Sequence, residues 1–109
     1  MSPELGRQLR AYGALDNALR LRAYRMIHDA PGVSFNEIVR KLDVASGLAA
    51  YHVGVLKSAG LVNVRYVRSG MAVSRYELTD LGAQIFENLF GGRRLRLKHL
   101  AATTSKVLA

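Results

Sequence analysis

No cysteine occurs in the 109 residues, which excludes disulfides, zinc fingers and thiolate metal sensing together. Tryptophan is absent as well, and prolines number only two. Long apolar runs are missing: none approaches the roughly 18 residues that a membrane-spanning helix requires. The opening "MSPELGRQLRAYG" lacks the continuous apolar stretch of a signal peptide, so an intracellular, cytoplasmic protein is expected. Acids are scarce. Eight Asp and Glu stand against 16 Lys and Arg, and the last 19 residues hold none. The acids that exist are isolated rather than paired, and no Ser/His/Asp or Cys/His constellation can be assembled. "GMAVSR" and "GGRRLR" are not phosphate-binding loops, because both lack the Gly-Lys-Ser/Thr ending. An enzyme is not expected, and neither is a cofactor.

What is present is positive charge. The net charge of +8 on a chain the size of one domain points to a polyanion. Nucleic acid is the first choice and an anionic membrane surface the rival. Arg93, Arg94, Arg96, Lys98 and Lys106 crowd the C-terminal tail, and Arg65, Arg68 and Arg75 flank one glycine-containing turn.

The hydrophobic pattern resolves into an orderly series of elements. Ser2-Pro3-Glu4 starts a helix over 1–13, with Leu5, Leu9 and Tyr12 on one face. Gly13 interrupts it. Asp16 then caps a helix carrying Leu15, Leu19, Ala23, Met26, Ile27 and Ala30, and "DAPG" stops it. "SFNE", 34–37, is a capping box opening a helix that buries Phe35, Ile38, Val39 and Leu42. After a short turn, "SGLAAYHVGVLKSAG" reads as a helix capped by Ser46 and ended by Gly60. "LVNVRYV" and "AVSRYEL", joined by "RSGM", form a hairpin over 62–78. Thr79 caps a helix with Leu81, Ile85, Phe86 and Leu89, ended by Gly91-Gly92. The tail fits one more helix, with Leu97, Leu100, Ala101, Thr104 and Leu108 in register.

Two short helices across a tight turn, then a hairpin with basic residues near its tip, describe a winged helix-turn-helix. The expected class is mostly α with a small β-hairpin, in one domain: an N-terminal helix (1–13), a winged-helix core (15–79) and a helical extension (80–109). The stretch from "ALDNALRLR" through "YHVGVLKSAGLV" to "YELT" resembles the ArsR-type winged-helix regulators over most of the chain. "LTDLG" is shared with MarR- and PadR-like winged helices.

The resemblance implies a transcriptional regulator that binds double-stranded DNA as a homodimer, associated with the nucleoid. It also explains an oddity of residues 46–57. The face that this helix should turn to solvent is Gly47, Ala50, Tyr51, Gly54 and Lys57, nearly bare of charge where an exposed helix normally carries Glu, Lys and Arg. In this fold that face meets the major groove. Small residues permit close approach, Tyr51 suits a phosphate or base hydrogen bond or a thymine methyl, and Ser46 and Lys57 suit phosphates. Arg65, Arg68, Ser69, Gly70 and Arg75 form the corresponding wing. Arg65, Arg68 and Arg75 repel one another across the hairpin unless something anionic meets them. The stretch holds no Arg, Asn or Gln for bidentate readout, and Ala50 stands where the family often has Ser or Thr. Modest base readout is therefore expected, with much of the affinity from phosphates and DNA shape. A helix face packed on another protein is the competing explanation.

Other residues have structural readings. His52, one turn from both Leu48 and Leu56, is expected inward in the core. Tyr66 and Tyr76 are expected to pack the wing. Many ArsR-like proteins sense metals, but the three histidines form no HxxxH or DxH cluster, so no metal site is expected. The apolar excess at the chain ends (Leu5, Leu9, Tyr12, Phe86, Leu89, Phe90, Leu97, Leu100) exceeds what one domain can cover, which points to dimerisation there. Within DNA binding, a low-specificity architectural protein is the alternative. From another class, the alternative is a module binding a transcription or replication subunit.

Overall fold

The computed structural model describes residues 2–69 and 71–91, so Gly70 and the tail with Leu97 and Leu100 lie outside the described residues. The first helix, α1 (Pro3–Ala14), begins as its sequence dictates. The Ser2 hydroxyl accepts from the Leu5 amide at 3.1 Å, Pro3 needs no partner, and Glu4 sits by the positive end of the helix. Gly13 does not interrupt it. A glycine weakens a helical turn without removing its hydrogen bonds, and the helix runs on through Ala14.

The cap of α2 (Ala18–Asp29) is Asn17 rather than Asp16. The Asn17 carboxamide oxygen accepts from the Leu19 and Arg20 amides, both at 3.0 Å, whereas the Asp16 amide is spent closing the α1 turn on the Gly13 carbonyl. Pro31 cannot continue α2, and Gly32 turns the chain with φ +89°. The next two residues form a strand the sequence did not disclose, β1 (Val33–Ser34). Ser34 also caps α3 (Phe35–Leu42) by accepting from the Glu37 amide at 3.2 Å. Only that half of the capping box forms, since the Glu37 carboxylate lies 3.7 Å from the Arg40 guanidinium instead.

Between α3 and α4 (Ser46–Ser58) the chain reverses at Asp43, whose left-handed φ of 56° is a conformation aspartate tolerates. The residue preceding α4 is Ala45, which offers no side-chain bond. Ser46 is therefore the first residue inside the helix and not its cap. The helix ends at Gly60, φ +81°, where the Gly60 and Leu61 amides donate to the Lys57 and Leu56 carbonyls, both at 3.0 Å.

The hairpin of β2 (Val62–Ser69) and β3 (Met71–Leu78) occupies the expected residues, and the sheet order is β1-β3-β2, all antiparallel. Thr79 caps α5 (Asp80–Phe86), accepting from the Gly82 amide at 2.9 Å. Gly82 lies so close to the chain at Leu61 that an added Cβ would collide with the Leu61 carbonyl oxygen. The buried Tyr24 hydroxyl donates to the Gly82 carbonyl, and burial pushes its pKa well up. A wide π-type turn, Glu87–Gly91, follows α5. Tyr24, Ile27, Ile38, Leu56, Leu61, Val62 and Ile85 form the centre of one core, which Ala11 and Ala14 of α1 and Phe86 of α5 join.

Candidate nucleic-acid interface

α4 is held from behind. Ala49, His52, Val53 and Leu56 are buried against α1, α2 and β2. His52 is 6% exposed, and Arg20 of α2 reaches it: one guanidinium nitrogen lies 3.4 Å from His52 Nδ1, while Arg20 Nε donates to the Ala14 carbonyl at 2.6 Å. One arginine thus ties α1, α2 and α4 together, a role that nothing in its spacing disclosed. Burial lowers the His52 pKa, and the Arg20 charge lowers it further. The imidazole is accordingly neutral, with Nδ1 accepting and the proton on Nε2.

The opposite face of α4 is open. Ser46, Gly47, Ala50, Tyr51, Gly54 and Lys57 are all exposed, as the sequence predicts, and Tyr51 is 61% exposed. A Cβ added at Gly47 or Gly54 would meet no atom within 4 Å. The fold therefore does not require either glycine. Leu48 joins this open surface at 45% exposure. Its spacing from His52 suggested the core, but the buried stripe runs through Ala49, Val53 and Leu56, roughly 100° around the helix from Leu48.

On the hairpin, Arg65 and Arg75 face each other directly in register, and each has another partner. Arg65 Nε lies 3.4 Å from the Glu77 carboxylate, and Arg75 donates to the Gly32 carbonyl at 3.2 Å. The expected repulsion is thus relieved within the chain. Both contacts are exposed, so water screens them and a phosphate can compete. Arg68 is exposed opposite Ala72, and the backbone of Ser69 ends β2 beside them. The two tyrosines part company. Tyr76 packs on Phe35 with ring centroids 6.5 Å apart, whereas Tyr66, expected to pack the wing, is 70% exposed.

The terminal apolar residues also divide. Leu5, Leu9 and Leu89 are exposed, and Tyr12, Leu15, Leu21, Leu89 and Phe90 line a shallow cleft together with one acid, Asp16. Phe86 is not part of that surface. It is 9% exposed, stacked 3.5 Å from the His28 ring and 5.5 Å from Tyr24. Phe90 packs on Phe86 and lies beneath the Arg25 guanidinium. Among the described residues, no three His, Asp or Glu side chains gather where a metal ion could be shared.

Residues 17–77, from the cap of α2 to the end of the hairpin, match the HTH_HVO_0163_N family, described as an N-terminal HTH domain. The chain belongs to this helix-turn-helix family. Solved structures extend the likeness beyond the matched segment. The homodimeric winged helix-turn-helix DNA-binding domain (fragment 1–100) of Mb0332 from Mycobacterium bovis, a possible ArsR-family transcriptional regulator, superposes with a TM-score of 0.70 at 23% identity, over 91% of this chain and 93% of that one. HlyU from Vibrio cholerae gives 0.65 at 24% identity, over 83% and 98%. FabT from Streptococcus pneumoniae, solved in complex with DNA, gives 0.56 at 22% identity, over 84% and 59%. No curated protein matches the sequence. At these identities the likeness is one of fold, the winged helix-turn-helix. In this helix-turn-helix protein, α3 and α4 form the motif and β2–β3 the wing.

Proposed function

We propose that the protein is a transcriptional regulator that binds double-stranded DNA as a two-fold dimer, with α4 in the major groove and the β2–β3 wing on the adjacent backbone. The observation that carries this reading is the open face of α4. It has no acid, no bulky charged side chain along its middle, and two glycines that meet nothing in their own chain. A helix pays about 1 kcal/mol for each interior glycine relative to alanine. Glycines kept on an open face suit a helix whose backbone approaches another molecule closely. The basic wing, the net charge of +8 and the helix-turn-helix family support a nucleic acid as that molecule. A relative of the same fold is solved on DNA, and another is homodimeric.

Ser46 and Lys57, near the ends of α4, and Arg65, Arg68 and Arg75 of the wing are assigned to phosphates. Leu5, Leu9, Tyr12, Leu89 and Phe90 supply the apolar subunit contact. Specificity is modest, since residues 46–57 contain no Arg, Asn or Gln. Footprinting on the DNA upstream of the protein's own gene tests the reading. Two protected half-sites about one helical turn, ~34 Å, apart support it. Uniform coating of any sequence would replace a regulator with an architectural protein, and no duplex binding at low salt would contradict both.

A further inference from the structure

The open face of α4 has a chemical character more specific than smallness. Between residues 45 and 54, the exposed side chains are Ala45, Ser46, Leu48, Ala50 and Tyr51, with glycine at 47 and 54. Only Ser46 and the Tyr51 hydroxyl carry a polar atom, and Ser46 lies at the helix start. Leu48 and Tyr51, three residues apart, stand on the same side of the helix and present one apolar ridge to solvent. A duplex offers such a ridge a single apolar feature in the major groove, the C5 methyl of thymine.

We infer that α4 reads thymine methyl groups, with Leu48 and Tyr51 as the contacting side chains, so that the preferred sites are A·T-containing half-sites. This rests on the groove placement of α4 proposed above. The charge around the ridge selects the occupant. No acid lies on α4, Lys57 sits near its last turn, and the arginines of the wing are exposed, so the complementary surface is a polyanion with apolar groups, not an acid-free protein face. The ridge also explains how a helix without Arg, Asn or Gln can discriminate at all: methyl burial needs no donor.

The test replaces thymine by deoxyuracil in the tightest-binding duplex selected from a random library, which removes the methyl and keeps every base-pairing group. The full-length protein should bind the uracil duplex about fourfold more weakly for each contacted thymine, the equivalent of burying one methyl group. Leu48→Ala and Tyr51→Ala change exposed side chains, so they should fold normally. Each should bind the two duplexes more nearly alike, whereas Tyr51→Phe, which keeps the ring, should retain the discrimination. Equal wild-type affinity for thymine and uracil duplexes would overturn the inference while leaving duplex binding intact. So would undiminished discrimination in the Leu48→Ala, Tyr51→Ala double variant. Failure to bind any duplex would overturn this inference and the functional reading beneath it.

Discussion

His52 shows how one side chain on α4 serves the fold. Its ring is buried behind α4, and Arg20 holds its Nδ1 lone pair. The folded state therefore favours the neutral ring, while in the unfolded chain the same ring takes up a proton near its ordinary value of 6.5. A histidine whose folded pKa is lowered contributes stability that is present above the unfolded value and is lost as pH falls below it, towards the folded value. Denaturation midpoints of the wild type should accordingly drop between pH 7 and pH 5. In His52→Gln, which cannot titrate, the drop over the same window should be smaller. Identical pH slopes for the two proteins would show that His52 is not held neutral.

At the scale of the element, α4 carries a conflict between stability and contact. Gly54 is helical, exposed and free of neighbours on its open side. Gly54→Ala should stabilise the protein by about 0.5–1 kcal/mol, the ordinary helix-interior gain. The same methyl would hold the backbone away from the groove floor. Duplex affinity should then fall by about tenfold, on the scale of one lost base contact at ~1–3 kcal/mol. Thermal melting and duplex titration of one preparation check both halves, and a variant that is more stable yet binds DNA unchanged would remove the glycine argument.

The helices and the hairpin were legible because their periodicity extends over many residues and because Ser2, Ser34, Thr79 and Gly60 are strong boundary residues. β1 was not, since two residues cannot display an alternation, and Val33–Ser34 becomes a strand only by pairing with Tyr76 and Arg75 far along the chain. The Asn17 cap was a choice between two adjacent capping residues that only backbone geometry decides. Within the site, the open face of α4 was legible from composition alone. Leu48 was not, because a spacing of four residues joins it to His52 while the buried stripe drifts past it. Arg65 and Arg75 were legible as cross-strand neighbours, but their Glu77 and Gly32 partners depend on the tertiary fold.

For the whole molecule, two kinds of surface are expected to answer salt in opposite ways. Exposed Leu5, Leu9 and Leu89, beside the cleft lined by Tyr12 and Phe90, form an apolar surface whose association is insensitive to screening. The phosphate contacts proposed for Arg65, Arg68, Arg75 and Lys57 would release counterions and weaken steeply with salt. The most direct measurement is sedimentation of the protein with a labelled duplex at low salt and again at about 0.5 M, where the Debye length shrinks below ~5 Å. The account predicts a protein mass of twice 12.0 kDa at the higher salt, and a duplex that co-sediments with the protein only at the lower. A mass of 12.0 kDa at micromolar protein in high salt, or a duplex that never co-sediments, would contradict it.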